Sequence, residues 1–154
     1  MIKFELSIRD IQESDALEIY RWRNDPITVK HSKTGRWVEL EEHTNWLKNL
    51  IAANKELVQI AVINERPIGI IFFTRTSIDN LFEISINISP EFRKQGLGKI
   101  FLTLSEVDLV KKVGKCTIRA LILANNKDSI SFFVKCKYEM IQKNKDSFVY
   151  EKNF

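Results

Sequence analysis

The sequence predicts an α/β fold of the α+β kind: a mixed, twisted sheet of about seven strands flanked by about four helices, in one domain over residues 1–154. Three observations carry this expectation. Segments with strand and helix periodicity alternate in the order strand, two helices, three strands, helix, strand, helix, two strands. An antiparallel meander is followed by a strand–helix–strand unit, and that unit needs a right-handed crossover and hence a parallel pair. The length of 154 residues and the apolar content of 44% suit one domain with a real core.

The elements follow from local pattern. Phe4 to Arg9 alternates and reads as a strand. Asp15 to Asn24 carries Leu17, Ile19, Tyr20 and Trp22 and reads as a helix ended near Pro26. Ile27 to Trp37 is expected to be a basic, turn-rich loop. Glu39 to Asn54 places His43, Trp46, Leu47, Leu50 and Ile51 on one helical stripe, with Glu39, Glu41 and Glu42 at the end where the dipole favours acids. Leu57 to Ile63 and Ile68 to Thr74 are apolar strands, joined by the turn Asn64-Glu65-Arg66-Pro67. Leu81 to Ile88 alternates as a further strand. Leu97 to Val113 reads as a helix with Leu97, Ile100, Phe101, Leu104 and Val107 toward the core. Cys116 to Leu123 is a strand, Ser129 to Lys135 a short helix, and Tyr138–Gln142 and Ser147–Tyr150 close the sheet.

Composition narrows the function classes. No apolar run approaches a membrane span, and Met1-Ile2-Lys3-Phe4-Glu5 is no secretion signal, so a cytoplasmic protein without a membrane partner is expected. Cys116 and Cys136 lack metal-ligand spacing and read as reduced, buried thiols; no metal is expected. The formal net charge of +4 favours anionic ligands weakly. The charges are scattered with no aromatic-studded basic stripe, so no nucleic-acid partner is expected. Both a monomer and a homodimer are compatible with the sequence.

The most informative stretch is Ile88-Ser89-Pro90-Glu91-Phe92-Arg93-Lys94-Gln95-Gly96-Leu97-Gly98-Lys99, a strand end, a basic turn and a helix start holding two of the five glycines. Glycines let backbone N–H groups approach a ligand, and the first N–H groups of a helix lack intrahelical partners. Such a place binds phosphate. A dinucleotide fingerprint would need glycine where Phe101 stands. A P-loop would need glycine at Arg93 and a hydroxyl residue at Ile100. Both fail, leaving Arg93-x-x-Gly96-x-Gly98. With Ile-Ser-Pro-Glu-Phe before it, this resembles the signature of the GNAT acetyltransferases. Asn126-Lys127-Asp128-Ser129-Ile130-Ser131-Phe132-Phe133-Val134-Lys135 resembles the family's segment before the last helix. The element order matches as well, so the resemblance covers the whole chain. Arg21-Trp22-Arg23-Asn24-Asp25-Pro26 and Glu41-Glu42-His43-x-x-Trp46-Leu47 are similar to two GNAT groups. One acetylates N-termini of ribosomal proteins, the other amino groups of nucleotide-linked sugars.

The resemblance implies a GNAT fold with a splayed parallel pair and acetyl-CoA as co-substrate. Its pyrophosphate would lie on Gln95, Gly96, Leu97, Gly98 and Lys99 with Arg93 nearby, and its arm along the backbone of Ile86 and Ile88. Asn126 would bond the arm, Asn125 being the other candidate, and helix capping is an equally ordinary use of either residue. Glu83 matches the strand carboxylate that serves as base through water; Leu81, Glu83, Ser85 and Asn87 also alternate as any solvent-side strand face does. The family's leaving-group tyrosine is replaced by Phe133. Tyr138 falls where the family has a packing aromatic, leaving unassisted thiolate departure, a water or Ser131. In the acceptor region Lys30, His31, Lys33 and Arg36 suit a diphosphate, or form a solvated loop. Trp22 and Trp37 are candidates for a sugar-stacking platform, with core packing as the other role of Trp22. His43 reads as a packed residue. The expected function is acetyl transfer to a primary amine of a nucleotide-linked amino sugar. A protein N-terminal acetyltransferase and a non-catalytic CoA-binding domain are the alternatives.

Overall fold

In a computed structural model, which describes residues 5–154 apart from the side chains of Asn54 and Glu56, the strands are β1 (Leu6–Asp10), β2 (Val58–Ile63), β3 (Arg66–Arg75), β4 (Leu81–Ile88), β5 (Thr117–Leu123), β6 (Glu139–Lys143) and β7 (Ser147–Asn153). The α-helices are α1 (Ala16–Arg23), α2 (Pro26–Lys30), α3 (Leu40–Asn54), α4 (Leu97–Val113) and α5 (Lys127–Lys135). The seven strands form a sheet in the order β1-β2-β3-β4-β5-β7-β6. β4 and β5 run parallel; β1–β2, β2–β3, β5–β7 and β6–β7 run antiparallel. The mixed sheet agrees with the sequence reading. Phe4, the expected start of β1, lies outside the described residues.

The chain forms two compact units. The first holds the described residues up to Phe72 together with Ile86–Ser105. β2 is buried at every position, so both its faces are covered. On one side Ile11, Ile19, Trp22 and Leu47 pack with Val58, Ile60, Val62 and Ile70. His43 is buried and its Nε2–H donates to the Ala16 carbonyl at 3.0 Å, tying α3 to α1. Burial pushes its pKa down, so the ring stays neutral as a packing residue. The β2–β3 turn is tighter than the expected four residues. Asn64 and Glu65 both take left-handed φ, 49° and 66°, as a two-residue hairpin turn requires. Arg66 and Pro67 therefore join β3. A second correction concerns 27–37. Its start is helical, because Asp25 accepts from the Thr28 N–H at 3.2 Å and Pro26 fits the first turn.

The second unit holds Phe73–Ser85 and Glu106–Phe154. Ile118, Ala120 and Ile122 of β5 are buried, and α5 packs on this strand. Buried Glu106 accepts from the Tyr138 hydroxyl at 2.9 Å and from Lys152 Nζ at 3.1 Å; Lys152 also donates to the Cys136 carbonyl at 3.1 Å. This network ties α4, the α5–β6 turn and β7 together. Cys116 and Cys136 are both buried. The inward face of α4 differs from the expected one. Phe101, Leu102, Ser105, Glu106 and Leu109 are buried, whereas Ile100 and Val107 are each 49% exposed. Apolar residues encircle this helix, so periodicity alone does not choose a stripe.

Candidate active site

β4 ends at Ile88, and the chain then turns sharply into α4. The Ser89 N–H donates to the Ile68 carbonyl at 2.8 Å, anchoring the turn to β3. Pro90–Phe92 forms one 3₁₀ turn. Lys94 and Gly96 then take left-handed φ of 59° and 78°. Glycine carries that conformation at little cost, and a Cβ at Gly96 would meet nothing within 4 Å. The space over the turn is thus open, and Gln95, Gly96 and Lys99 are exposed with Leu97 and Gly98 half-buried. α4 begins here and runs for 17 residues, so its first N–H groups lack intrahelical acceptors at the positive end of a long dipole. A pyrophosphate fits this donor set. The Gln95 side chain donates to the Glu91 carbonyl at 2.8 Å and braces the turn from within.

Arg93 is engaged elsewhere than at the open turn. Its Nε donates to the Ile88 carbonyl at 2.8 Å, Nη1 to Asp25 at 2.7 Å, and Nη2 to Thr28 Oγ1 at 3.0 Å and to Asn87 Oδ1 at 3.3 Å. Burial raises the Asp25 carboxyl pKa, but Arg93 and the Thr28 bonds outweigh it and hold the net value below the ordinary 3.8. Arg93 therefore fastens the end of β4 to the start of α2. Asp25, Thr28 and Asn87, its partners, were not singled out as site residues by the sequence.

The parallel ladder runs from Leu81↔Thr117 to Glu83↔Arg119. β4 continues to Ile88, and Glu83 stands at the ladder's last pair. Glu83 is half-buried. Its register partner Arg119 bonds Glu151 from Nε at 2.8 Å and Nη2 at 2.6 Å. Register partners share a sheet face, so Glu83, Arg119 and Glu151 form a charged row. Ser85 is exposed. Ile86 and Ile88, half-buried, lie beyond the ladder.

In the second unit Asn126 caps α5, its Oδ1 accepting from the Ser129 N–H at 3.2 Å. Its Nδ2 stays outside that bond, so capping and ligand binding are compatible. Asn125 and Ser131 are exposed. Phe133 is 3% exposed, with its ring edge-to-face to Phe132 at 5.1 Å and to Tyr138 at 5.0 Å between centroids. The Tyr138 hydroxyl is committed to Glu106, and burial first, then that carboxylate, push its pKa far up. Tyr138 is a structural residue, as its place after α5 suggested.

The acceptor candidates divide. Trp22 is 2% exposed within the core, which removes it from any sugar platform, whereas Trp37 is 55% exposed and meets Tyr20 edge-on at 6.4 Å. Lys30 and Lys33 are exposed. Arg36 grips Glu42 with two bonds, 3.0 and 2.6 Å, which offsets its charge. Buried Asn24 bonds both the N–H and the carbonyl of Val38, at 2.8 and 2.9 Å, and pins the 31–38 segment to α1. Sequence reading passed over Asn24 because a buried Asn has no periodic signature.

The fold and the turn define a class of acyl-transfer proteins, and the comparisons agree. The family model for the acetyltransferase (GNAT) domain matches residues 5–139. The chain belongs to the GNAT acetyltransferases and is an N-acetyltransferase. It is 21% identical over 95% of its length, and 90% of the other chain, to the acetyltransferase PseH of Campylobacter jejuni subsp. jejuni serotype O:23/36 (strain 81-176). Among solved structures it is similar to RimL, a ribosomal L7/L12 alpha-N-protein acetyltransferase in complex with coenzyme A. That match has a TM-score of 0.84 and 12% identity over 100% of this chain and 97% of the other. It is also similar to yncA, a putative acetyltransferase from Salmonella typhimurium with its cofactor acetyl-CoA. There the TM-score is 0.73, with 20% identity over 97% of this chain and 94% of the other. Among the described residues no helix is long and apolar enough to cross a membrane.

Proposed function

We propose that this enzyme acetylates the primary amine of a nucleotide-linked amino sugar with acetyl-CoA as donor. The observation that carries the donor assignment is the open turn at Gly96 leading into the unpaired N–H groups of α4. Gln95, Gly96, Leu97, Gly98 and Lys99 hold the pyrophosphate, and Arg93 keeps the turn in place through Asp25. Strand rise of about 3.3 Å per residue puts Glu83 roughly 17 Å along β4 from Ile88, a span an extended pantetheine arm covers. The backbone of Ile86 and Ile88 pairs with the arm's amides where the parallel ladder no longer uses it. Asn126 offers its amide to the same arm.

When bound, acetyl-CoA supplies an activated thioester. Glu83, directly or through water, takes the proton of the incoming ammonium. Backbone N–H groups of β4 past the ladder donate to the carbonyl oxygen as negative charge develops there. Phe133 gives the departing sulfur no proton. A thiol resembling cysteine has a pKa of about 8.5, so its thiolate leaves near neutral pH with modest help.

The acceptor assignment is supported by the exposed lysines Lys30 and Lys33 of the 30–36 stretch, which suit phosphates better than a basic peptide, whereas Arg36 is paired with Glu42. A protein N-terminal acetyltransferase is the second reading, supported by the likeness of the fold to RimL; the Arg21–Pro26 motif is shared by both groups and does not separate them. Steady-state thiol release with nucleotide-linked amino sugars, and with a ribosomal-protein N-terminal peptide, separates them. Turnover of the sugars alone supports the proposal. Robust peptide acetylation with no sugar turnover overturns it.

A further inference from the structure

We propose that a cavity beside Glu83 holds the sugar ring of the acceptor, and that the Arg119–Glu151 pair, with Asn153, recognises its hydroxyls. The inference deepens the nucleotide-sugar reading and rests on it. The second unit has an open cavity of about 500 Å³ where the starts of β4 and β5 meet the end of β7. Arg119, Glu151, Thr117 and Asn153 line it from the sheet, and Asn80 lines it from the turn before β4. In register, Glu83 pairs with Arg119 and Arg119 with Glu151, while Leu81 pairs with Thr117 and Thr117 with Asn153. The cavity therefore opens on the sheet face that carries Glu83. Its Arg119 wall stands one strand spacing, about 4.8 Å, from β4 at the level of that carboxylate.

The polar groups there are only half used. Arg119 Nε and Nη2 both bond Glu151 Oε1, at 2.8 and 2.6 Å. Arg119 Nη1 and Glu151 Oε2 make no bond among the described residues, and neither is shut off from solvent. Thr117 Oγ1 donates to Asn153 Oδ1 at 2.7 Å, which leaves the Asn153 amide nitrogen available as well. The cavity thus offers a carboxylate oxygen that accepts beside guanidinium and amide N–H groups that donate. Neighbouring hydroxyls of a sugar use both kinds within the width of one ring. A phosphate would meet the Glu151 carboxylate. Arg119 offsets Glu151, and Lys115 offsets Asp79 at the exposed rim, so the site favours a neutral polyol over an anion. Ile78 and Leu81 add an apolar wall for the C–H face of the ring. The walls are held by the backbone: the Thr117 N–H donates to the Asn80 carbonyl at 2.8 Å, and the Phe154 N–H to the Cys116 carbonyl at 2.9 Å. A hexose seated there with its amine toward β4 presents that amine to Glu83.

Calorimetry on the full chain saturated with coenzyme A isolates the share of the sugar. UDP and dTDP are titrated alone, then UDP- and dTDP-linked hexoses that carry an amine at carbon 2, 3 or 4. In wild type at least one amino sugar should bind roughly tenfold or more tighter than its nucleotide. Glu151→Gln keeps an oxygen for Arg119 and exchanges the other for an amide. Asn153→Leu removes the amide at an exposed position. Each should bring the ratio close to one, with the affinity for the nucleotide alone near that of wild type. Asn153→Leu carries the conclusion if Glu151→Gln melts early. Groups that merely brace the sheet would weaken nucleotide and amino sugar alike, or neither, and leave the ratio intact. That result overturns the subsite and leaves the nucleotide-sugar reading standing. A wild-type ratio near one for every sugar likewise overturns the subsite. Binding of no nucleotide and no amino sugar by wild type overturns the subsite and the acceptor reading together.

Discussion

Glu83, Asp25 and Phe133 each make a separable demand on the chemistry. A Glu83→Gln enzyme keeps the shape of the side chain and loses its basicity. Its kcat near neutral pH should fall by roughly 10²-fold or more, with coenzyme A affinity nearly unchanged. Wild-type rates across the pH range would remove Glu83 from the mechanism. Asp25 acts on the frame instead. Its folded pKa lies below 3.8, so its ion pair with Arg93 stabilises the fold above the unfolded value. That contribution is lost as pH falls through the folded value. Asp25→Asn should therefore cost roughly 1–3 kcal/mol at neutral pH, and the gap to wild type should close in acid. Chemical denaturation from neutral to acid pH is the check, and a gap that does not narrow contradicts the pair's role. Phe133 is buried between two rings, so Phe133→Tyr must find a partner for its hydroxyl. Its rate should be unchanged or higher, measured by thiol release at equal substrate. A large fall in rate from a well-folded variant would mean that a hydroxyl at this position disturbs the site rather than assists departure of the thiolate.

At the scale of the elements, the Ser89–Gly96 turn depends on how closely β3 approaches β4 and α4. A Cβ at Gly69 would sit 2.8 Å from Ile88 Cδ1, 3.0 Å from the Asn87 carbonyl oxygen and 3.4 Å from Phe101. The methyl tip of Ile88 can move, but the carbonyl belongs to the strand that feeds the turn. Gly69→Ala should destabilise by about 1–3 kcal/mol, in the usual range for overpacking, and should also weaken coenzyme A binding. Equilibrium unfolding and calorimetry measure the two effects, and a variant as stable as wild type would mean the strands yield freely. Gly69 carries no motif; it reads as an ordinary apolar strand position. By contrast, Arg93 and Gly96 stand out in the sequence, yet the structure gives them different tasks. Gly96 supplies a left-handed turn under open space, and Arg93 supplies a clamp to Asp25, Thr28 and Asn87.

For the molecule as a whole, binding at the turn should register as stability. A ligand that binds only the folded chain at a hundred times its Kd adds about 2.7 kcal/mol. Coenzyme A at that excess should raise the unfolding midpoint of wild type. Gly96→Val places a branched side chain at a φ of 78° and into the space proposed for the phosphates. Its midpoint should not respond to coenzyme A, while its circular dichroism remains native. An undiminished response would move the pyrophosphate away from this turn.

The sequence by itself determined what depends on neighbours along the chain. Alternation over Leu81–Ile88 and helix periodicity over Leu97–Val113 locate both elements to the residue, and Gly96 between them marks the turn. Those signals are local, because strand and helix repeats and left-handed turns are set by a few consecutive residues. Only the tertiary structure decided which side of α4 faces inward, where Ser105 and Glu106 are buried and Ile100 and Val107 are half-exposed. It also decided that Asp25 begins a helix and receives Arg93 from 68 positions away, that Trp22 is core, and that Arg119 pairs with Glu151. Burial and pairing are relations between distant segments. A residue's type states what it can bond, and only the packed chain settles what comes within reach.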